Sequence, residues 1–165
     1  MDMKRILQHL ITTDRRVARD FSPASLRAIE QAIHLGETEH AGQVRFAVEG
    51  ALELAPLLRG QSSRERAVEL FSLLRIWDTE QNCGVLIYLL LADRAVEIVA
   101  DRGITARIPA EQWQLICRAM ENDFRHGDYE DGVISGIHAV TRHLAEQFPA
   151  RGSSSNELPD APVVL

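Results

Sequence analysis

Residues 82–104 read NCGVLIYLLLADRAVEIVADRGI, and this stretch decides the fold. Val85 to Ala92 form an unbroken apolar run of strand length, rich in branched side chains, as expected of a strand covered on both faces. Asp93 and Arg94 break the run, and an alternating pattern follows. Val96, Ile98 and Ala100 fall on one face, and Ala95, Glu97 and Val99 on the other. Two strands joined by a tight polar turn predict an antiparallel hairpin. The hairpin leaves the sheet through Asp101-Arg102-Gly103-Ile104, two charges and a glycine at the rim of a buried sheet, which is either a candidate site or a solvated turn.

Upstream of the hairpin, residues 42–49 also alternate. Val44, Phe46 and Val48 form one side, while Gln43, Arg45, Ala47 and Glu49 predict a wetter second side. Residues 50–61 predict a connection with one helical turn before Pro56. A helix follows in which Ser62 and Glu65 have capping-box spacing and Ala67, Leu70, Phe71, Leu74 and Trp77 form the buried stripe, ending near Asp78. Nearer the start, Ile6, Leu7, Leu10 and Ile11 predict a short helix packed on the body. The next helix has Phe21 as staple, Ser22 as N-cap, Pro23 as first residue, and Leu26, Ile29 and Ile33 inside.

Downstream, Pro109 opens a helix with a core stripe of Trp113, Ile116, Cys117, Met120 and Phe124. Asp128 caps the last helix, which carries Val133, Ile137, Val140, Leu144 and Phe148. In it, Gly132 and Gly136 sit one turn apart and allow a close approach. This order of helices and strands predicts a three-layer α/β/α sandwich with a small mixed sheet containing a central antiparallel hairpin. Residues 1–20 are expected to be an N-terminal helical extension, 21–148 the α/β/α domain, and 149–165 a Gly/Ser/Pro-containing tail. The tail either stays disordered, docks, adds an edge strand, or serves as a terminal peptide ligand.

Composition narrows the function classes. With 165 residues, one domain can bury a core without disulfides or metals. The formal net charge of −6 argues against nucleic acid as the main partner. Apolar runs stop at about eight residues, well short of the roughly twenty that span a bilayer, and no signal-peptide core is visible, so the expected location is cytoplasmic. Lys4, Arg5, Arg15, Arg16 and Arg19 cluster near the start, and a peripheral contact with membrane or an acidic partner is one expectation for them; a solvated helix face is the other. Cys83 and Cys117 form no CxxC pair, and the six histidines include no HExxH. Walker A, Cys-x5-Arg and Gly-x-Ser-x-Gly patterns do not occur.

The segments GQVRFAVEG, LLRIWDTEQN, CGVLIYLLLADRAVEIVADRGI and FRHGDYEDGV, in that order and over about residues 20–148, resemble the TPM domain, also called the TPM phosphatase domain. The form is similar to short, signal-less bacterial members with an extra N-terminal helix. This resemblance implies an α/β/α sandwich, divalent-cation binding, a disputed phosphatase activity, and roles in membrane-protein maintenance or assembly. It also exposes departures. Many members read Gly-Tyr-Gly-Leu-Glu where this chain has Asp101-Arg102-Gly103-Ile104-Thr105, and Gln43 and Cys83 stand where Glu and Asn are common.

The candidate chemistry lies at the hairpin's open end. Asp78, Glu80 and Asn82 precede the first strand and Asp101 follows the second, and they converge if the loop folds back. Asp78, Asn82 and Asp101 are then the candidate ligands for Ca²⁺ or Mg²⁺. For phosphoryl chemistry Asp101 and Arg102 are the candidate catalytic pair, with Arg102 placed for a bidentate phosphate contact. Two functions are thereby expected. One is an interaction or accessory module with little or no catalysis, in membrane-protein maintenance or assembly, and the other is a divalent-cation-dependent phosphatase of low specificity.

Overall fold

The computed structural model describes residues 3–12, 14–150, 152 and 155–165. Two helices, α1 (Met3–Ile11) and α2 (Asp14–Asp20), lead into α3 (Pro23–Gly36), β1 (Gln43–Glu49), α4 (Leu54–Leu58) and α5 (Ser63–Leu73). The hairpin is β2 (Gly84–Leu90) and β3 (Ala95–Ala100). It is followed by α6 (Arg102–Thr105), α7 (Ala110–His126), α8 (Tyr129–Gln147) and β4 (Val163–Val164). The sheet order is β3-β2-β1-β4. β2 and β3 pair antiparallel, with Ile87 opposite Ile98, whereas β1 runs parallel to both β2 and β4.

Each face of the sheet buries its own cluster, so the architecture is the three-layer α/β/α sandwich. Val44, Phe46, Ile87, Leu89 and Ile98 meet Ile29 and Ile33 of α3, Trp113 and Met120 of α7, and Val140 of α8. On the other face Ala47, Leu86, Tyr88 and Leu90 meet Leu57 of α4 and Leu70 of α5. The alternation of side chains in a strand sends successive residues to these two layers. Two glycines let α8 close on α7. A Cβ at Gly136 would fall 2.3 Å from the Met120 sulfur, and one at Gly132 2.8 Å from the Phe124 ring.

Local signals set most boundaries. Ser22 accepts the Ser25 N–H ahead of Pro23, and Ser62 and Glu65 complete the capping box of α5. Gly127 ends α7 at φ 89°. Asp128 occupies the N-cap position of α8 but makes no side-chain capping bond. Pro56 sits inside α4, in its first turn, where an absent N–H costs nothing.

Four expectations are corrected. α5 stops at Leu73 rather than near Asp78, because the chain reverses through Arg75 at φ 53°. Trp77 therefore lies 49 % exposed beside the Arg75 guanidinium instead of in the core. β1 has no wet side: Gln43, Arg45, Ala47 and Glu49 are all buried. Their polar groups find distant partners. The Gln43 side-chain oxygen accepts the Glu157 and Leu158 N–H groups, and Arg45 donates to the Pro159 and Ala161 carbonyls. Glu49 binds Arg66 through two 2.9 Å bonds and accepts the Tyr88 hydroxyl at 2.6 Å. The tail supplies several of these partners, and its end adds β4 to the edge of β1.

The remaining two corrections concern α1 and the hairpin. The helix turns its polar residues inward. Arg5 binds Asp93 at 2.7 Å and the Gln61 carbonyl at 2.8 Å, and His9 holds Asp93 through Nε2 at 2.9 Å while its Nδ1 accepts the Leu52 N–H at 3.0 Å. Of the expected stripe Ile6 is half-buried against the second core cluster, whereas Leu7, Leu10 and Ile11 are exposed instead of packed. Burying an unsatisfied carboxylate and N–H at the strand ends would cost more than leaving a few leucines in water. The hairpin's second strand, β3, is an edge of the sheet, and the interior strands are β2 and β1.

Candidate functional site

Asn82 and Asp101 do come together, because a hairpin brings its entry and exit to one rim. Gly84 accepts the Asp101 N–H at 2.9 Å, and Asn82 accepts the Gly103 N–H at 3.1 Å. Asn82 stands at φ 51°, a conformation asparagine tolerates better than most residues. A Cβ on Gly103 would lie 2.6 Å from the Asn82 carbonyl oxygen, so only glycine permits this crossing. The rim is the amino end of the parallel strands β1 and β2, and only β3 ends there with its carboxyl side.

Most of the candidate polar groups at this rim bond within the chain. Asp101 caps the short α6, its Oδ1 accepting the Arg102 N–H at 2.7 Å. Arg102 donates Nε–H to Asn82 Oδ1 at 3.1 Å. Asp78 is turned to Arg75, three residues away, in an exposed ion pair. Glu80 is exposed and offers its N–H to Glu157 at 2.9 Å. One atom stands apart: Asp101 Oδ2 is buried without a hydrogen-bond partner.

Beside these residues a cleft of about 490 Å³ opens between the hairpin rim, the end of α8 and the tail. Its lining includes Glu80, Gly103, Arg107, Phe148 and Glu157. Arg107 stacks 4.6 Å from the Phe148 ring centroid and donates to the Gln147 carbonyl. Arg107 and Glu157 were not among the sequence candidates. Glu157 is brought in by a tail that docks from more than fifty residues beyond the hairpin, a placement no local spacing reveals.

Cys83 lies beneath the rim and is 1 % exposed. Burial pushes its thiol pKa up, and the nearby Glu157 and Asp101 carboxylates push the same way. Its Sγ donates to the Ala41 carbonyl. It is a protonated packing residue, not a nucleophile. His40 is equally buried, which lowers its pKa to about 4 and keeps it neutral.

A hard divalent cation takes about six to eight oxygen ligands, several of them carboxylate. Among the described residues no three His, Cys, Asp or Glu side chains gather to hold one. Among the described residues Asp101 Oδ2 is the one buried carboxylate oxygen without a hydrogen-bond partner, so the donor set as arranged does not fit a tightly held ion. Among the described residues no helix is long and apolar enough to cross a membrane.

Comparison with known proteins gives this architecture a family. None of the curated proteins compared matches the chain. The solved structure of BA42, from the psychrophilic bacterium Bizionia argentinensis, is similar at 26% identity and TM-score 0.76, over 88% of this chain and 95% of that one. The N-terminal domain of a P. gingivalis protein shares the fold at 19% identity and TM-score 0.62, over 78% of each chain. The model of the TPM domain matches residues 17–143, which is most of the sequence and includes the sheet's hairpin and both of its rims. The chain belongs to the TPM domain family.

Proposed function

We propose that this protein works as an accessory, contact-making TPM module in membrane-protein maintenance or assembly, with little or no catalysis of its own. The observation that carries the reading is the internal use of the rim's polar groups. Asp78 is bound to Arg75, Asn82 to Arg102, and Asp101 to the first N–H of α6. A catalytic cation would have to compete with each of these contacts. The test is a titration with Ca²⁺ and Mg²⁺ followed by NMR, together with a phosphate-ester assay. The expected outcome is no saturable shift at residues 78–84 and 100–105 and no turnover above that of Asp101→Ala. Metal-dependent turnover that Asp101→Ala abolishes would overturn the reading.

A second reading is favoured by one observation, the buried and unpartnered Asp101 Oδ2 beside the exposed Arg102. A divalent-cation-dependent phosphatase of low specificity would use Asp101, with Asn82 and a re-aimed Asp78, to hold the ion. Arg102 would then hold the phosphate. On that reading Arg102→Ala raises KM or lowers kcat and leaves thermal stability unchanged. Wild-type activity in Arg102→Ala and Asp101→Ala alike would place any activity elsewhere.

A further inference from the structure

We infer that α1 is an interfacial helix whose outward face seats in the surface of an anionic bilayer. The inference rests on the reading of the chain as a contact-making module and names the surface it contacts. The helix is mounted inside out. Arg5 and His9 are fixed to Asp93, to the Gln61 carbonyl and to the Leu52 N–H, whereas Met3, Leu7, Leu10 and Ile11 are 70, 59, 61 and 70 % exposed. These four fall at offsets of four, seven and eight, which is one helical face. Ordinary docking of an amphipathic helix buries that face and leaves the polar one in water. The reverse mounting holds an apolar ridge rigidly outward.

Charge identifies the occupant. The first twenty residues hold five Lys and Arg against three Asp, in a chain of net charge −6. Lys4 on α1 and Arg15 and Arg19 on α2 are exposed, Arg19 also pairing with its neighbour Asp20, so cations lie within the ridge and close after it along the chain. Apolar side chains beside lysine and arginine fit acyl chains beneath anionic headgroups. A second copy fits poorly. A symmetric dimer would bring the same cations face to face, and a stable interface draws on about 20–30 residues from each side. Arg5 and His9 reach chain on both sides of α4, so the exposed Leu54 and Leu58 lie near α1, yet even with them the ridge is far smaller than that.

The experiment is co-sedimentation of the full chain with vesicles of phosphatidylcholine alone and of phosphatidylcholine mixed with phosphatidylglycerol, at low and high salt. The comparison protein is the double variant Leu7→Gln, Leu10→Gln, whose thermal melt is expected to match the wild type because both leucines are exposed. The expected result is binding about tenfold stronger to the anionic vesicles, weakened by salt and lost in the double variant. Equal partition to both vesicle types, binding retained by the double variant, or a wild-type dimer in light scattering that the double variant dissolves would each overturn the inference. The cation titration and phosphatase assay are independent of these outcomes. A missing vesicle interaction therefore removes the membrane contact without deciding whether the module is catalytic.

Discussion

Asp93→Ala removes the carboxylate on which α1 is hung, and its cost can be worked from the contacts. Asp93 accepts Nε–H and Nη2–H bonds from Arg5 at 2.9 and 2.7 Å and a bond from His9 Nε2 at 2.9 Å. The two side chains of the Arg5 pair are 23 and 15 % exposed, so this pair is worth about 1 kcal/mol rather than the larger value of a sealed one. The His9 side chain is 1 % exposed. Losing its partner removes a bond and strands a buried ring nitrogen, which costs about 2 kcal/mol. The sum is about 3 kcal/mol, equivalent to a fall in Tm of roughly 6–12 °C for a domain of this size. Release of α1 sets a ceiling, since the cost cannot exceed the helix's docking energy, and nine residues are too few to stay helical alone. Hydrogen exchange across residues 3–11 therefore rises in either case. The pH dependence adds a signature. Burial raises the Asp93 pKa, but the bonds from Arg5 and His9 outweigh it and hold the group below its ordinary value. The stabilisation is present above the unfolded carboxylate pKa and is lost as pH falls through the lower folded one, so variant and wild type converge in acid. An unchanged Tm together with unchanged exchange in α1 would refute the reasoning.

Glu37 predicts the opposite pH slope: burial first, and Asp160 second among the raising influences, push its pKa up to about 8 while it accepts the Val44 N–H. The unfolded state ionises above about 4.3 and the folded state does not until near 8, so this group costs stability as pH rises through that window. Glu37→Gln keeps the acceptor, and its stability is expected to match wild type at low pH and to exceed it in mild alkali by up to about 5 kcal/mol; a constant difference across the range would contradict this. Gly84→Ala would place a Cβ 2.0 Å from the Ile76 carbonyl oxygen, where backbone must move, and is expected to cost about 3 kcal/mol in urea titration. Deleting residues 156–165 strips Gln43 and Arg45 of their partners and bares the edge of β1, for an expected loss of about 2–4 kcal/mol. A synthetic peptide of that segment is expected to restore part of the melt, and failure of the truncation to lower Tm would contradict the docking.

The hairpin was legible because both strands write their environment locally: an unbroken apolar run for β2 and strict alternation for β3. The meeting of Asn82 with Asp101 follows from that hairpin, since entry and exit must share a rim. Asp78 turns to a local partner, because Arg75 lies within reach three residues earlier. β1 reads as half-wet because Gln43, Arg45 and Glu49 look solvent-facing, and the groups that satisfy them lie 17 to 116 residues away. α1 misled in the same manner. Its apolar stripe is real, but the decisive partner, Asp93, is 84 residues from His9. Polar burial depends on such distant pairings, whereas apolar periodicity does not.

The inverted helix also bears on the chemistry of the sheet. In open α/β sheets ligands collect outside the carboxyl ends of the strands. Here the carboxyl ends of β1 and β2 carry Glu49 and, a few residues beyond, Leu52 and Asp93. Arg66 and Tyr88 bind Glu49, while Arg5 and His9 bind the backbone N–H of Leu52 and the side chain of Asp93. The position at which the fold would ordinarily receive a ligand is thus filled from within, and α1 is the part that fills it. A helix placed there by Arg5 and His9 buries Ile6 but turns Met3, Leu7, Leu10 and Ile11 outward, so closing this rim and presenting an outward apolar ridge are two results of one packing choice. On this view Asp93→Ala does more than loosen a helix. It reopens the carboxyl rim and dismantles the contact surface together, which is why exchange protection in α1 and vesicle binding should be lost in parallel in that variant.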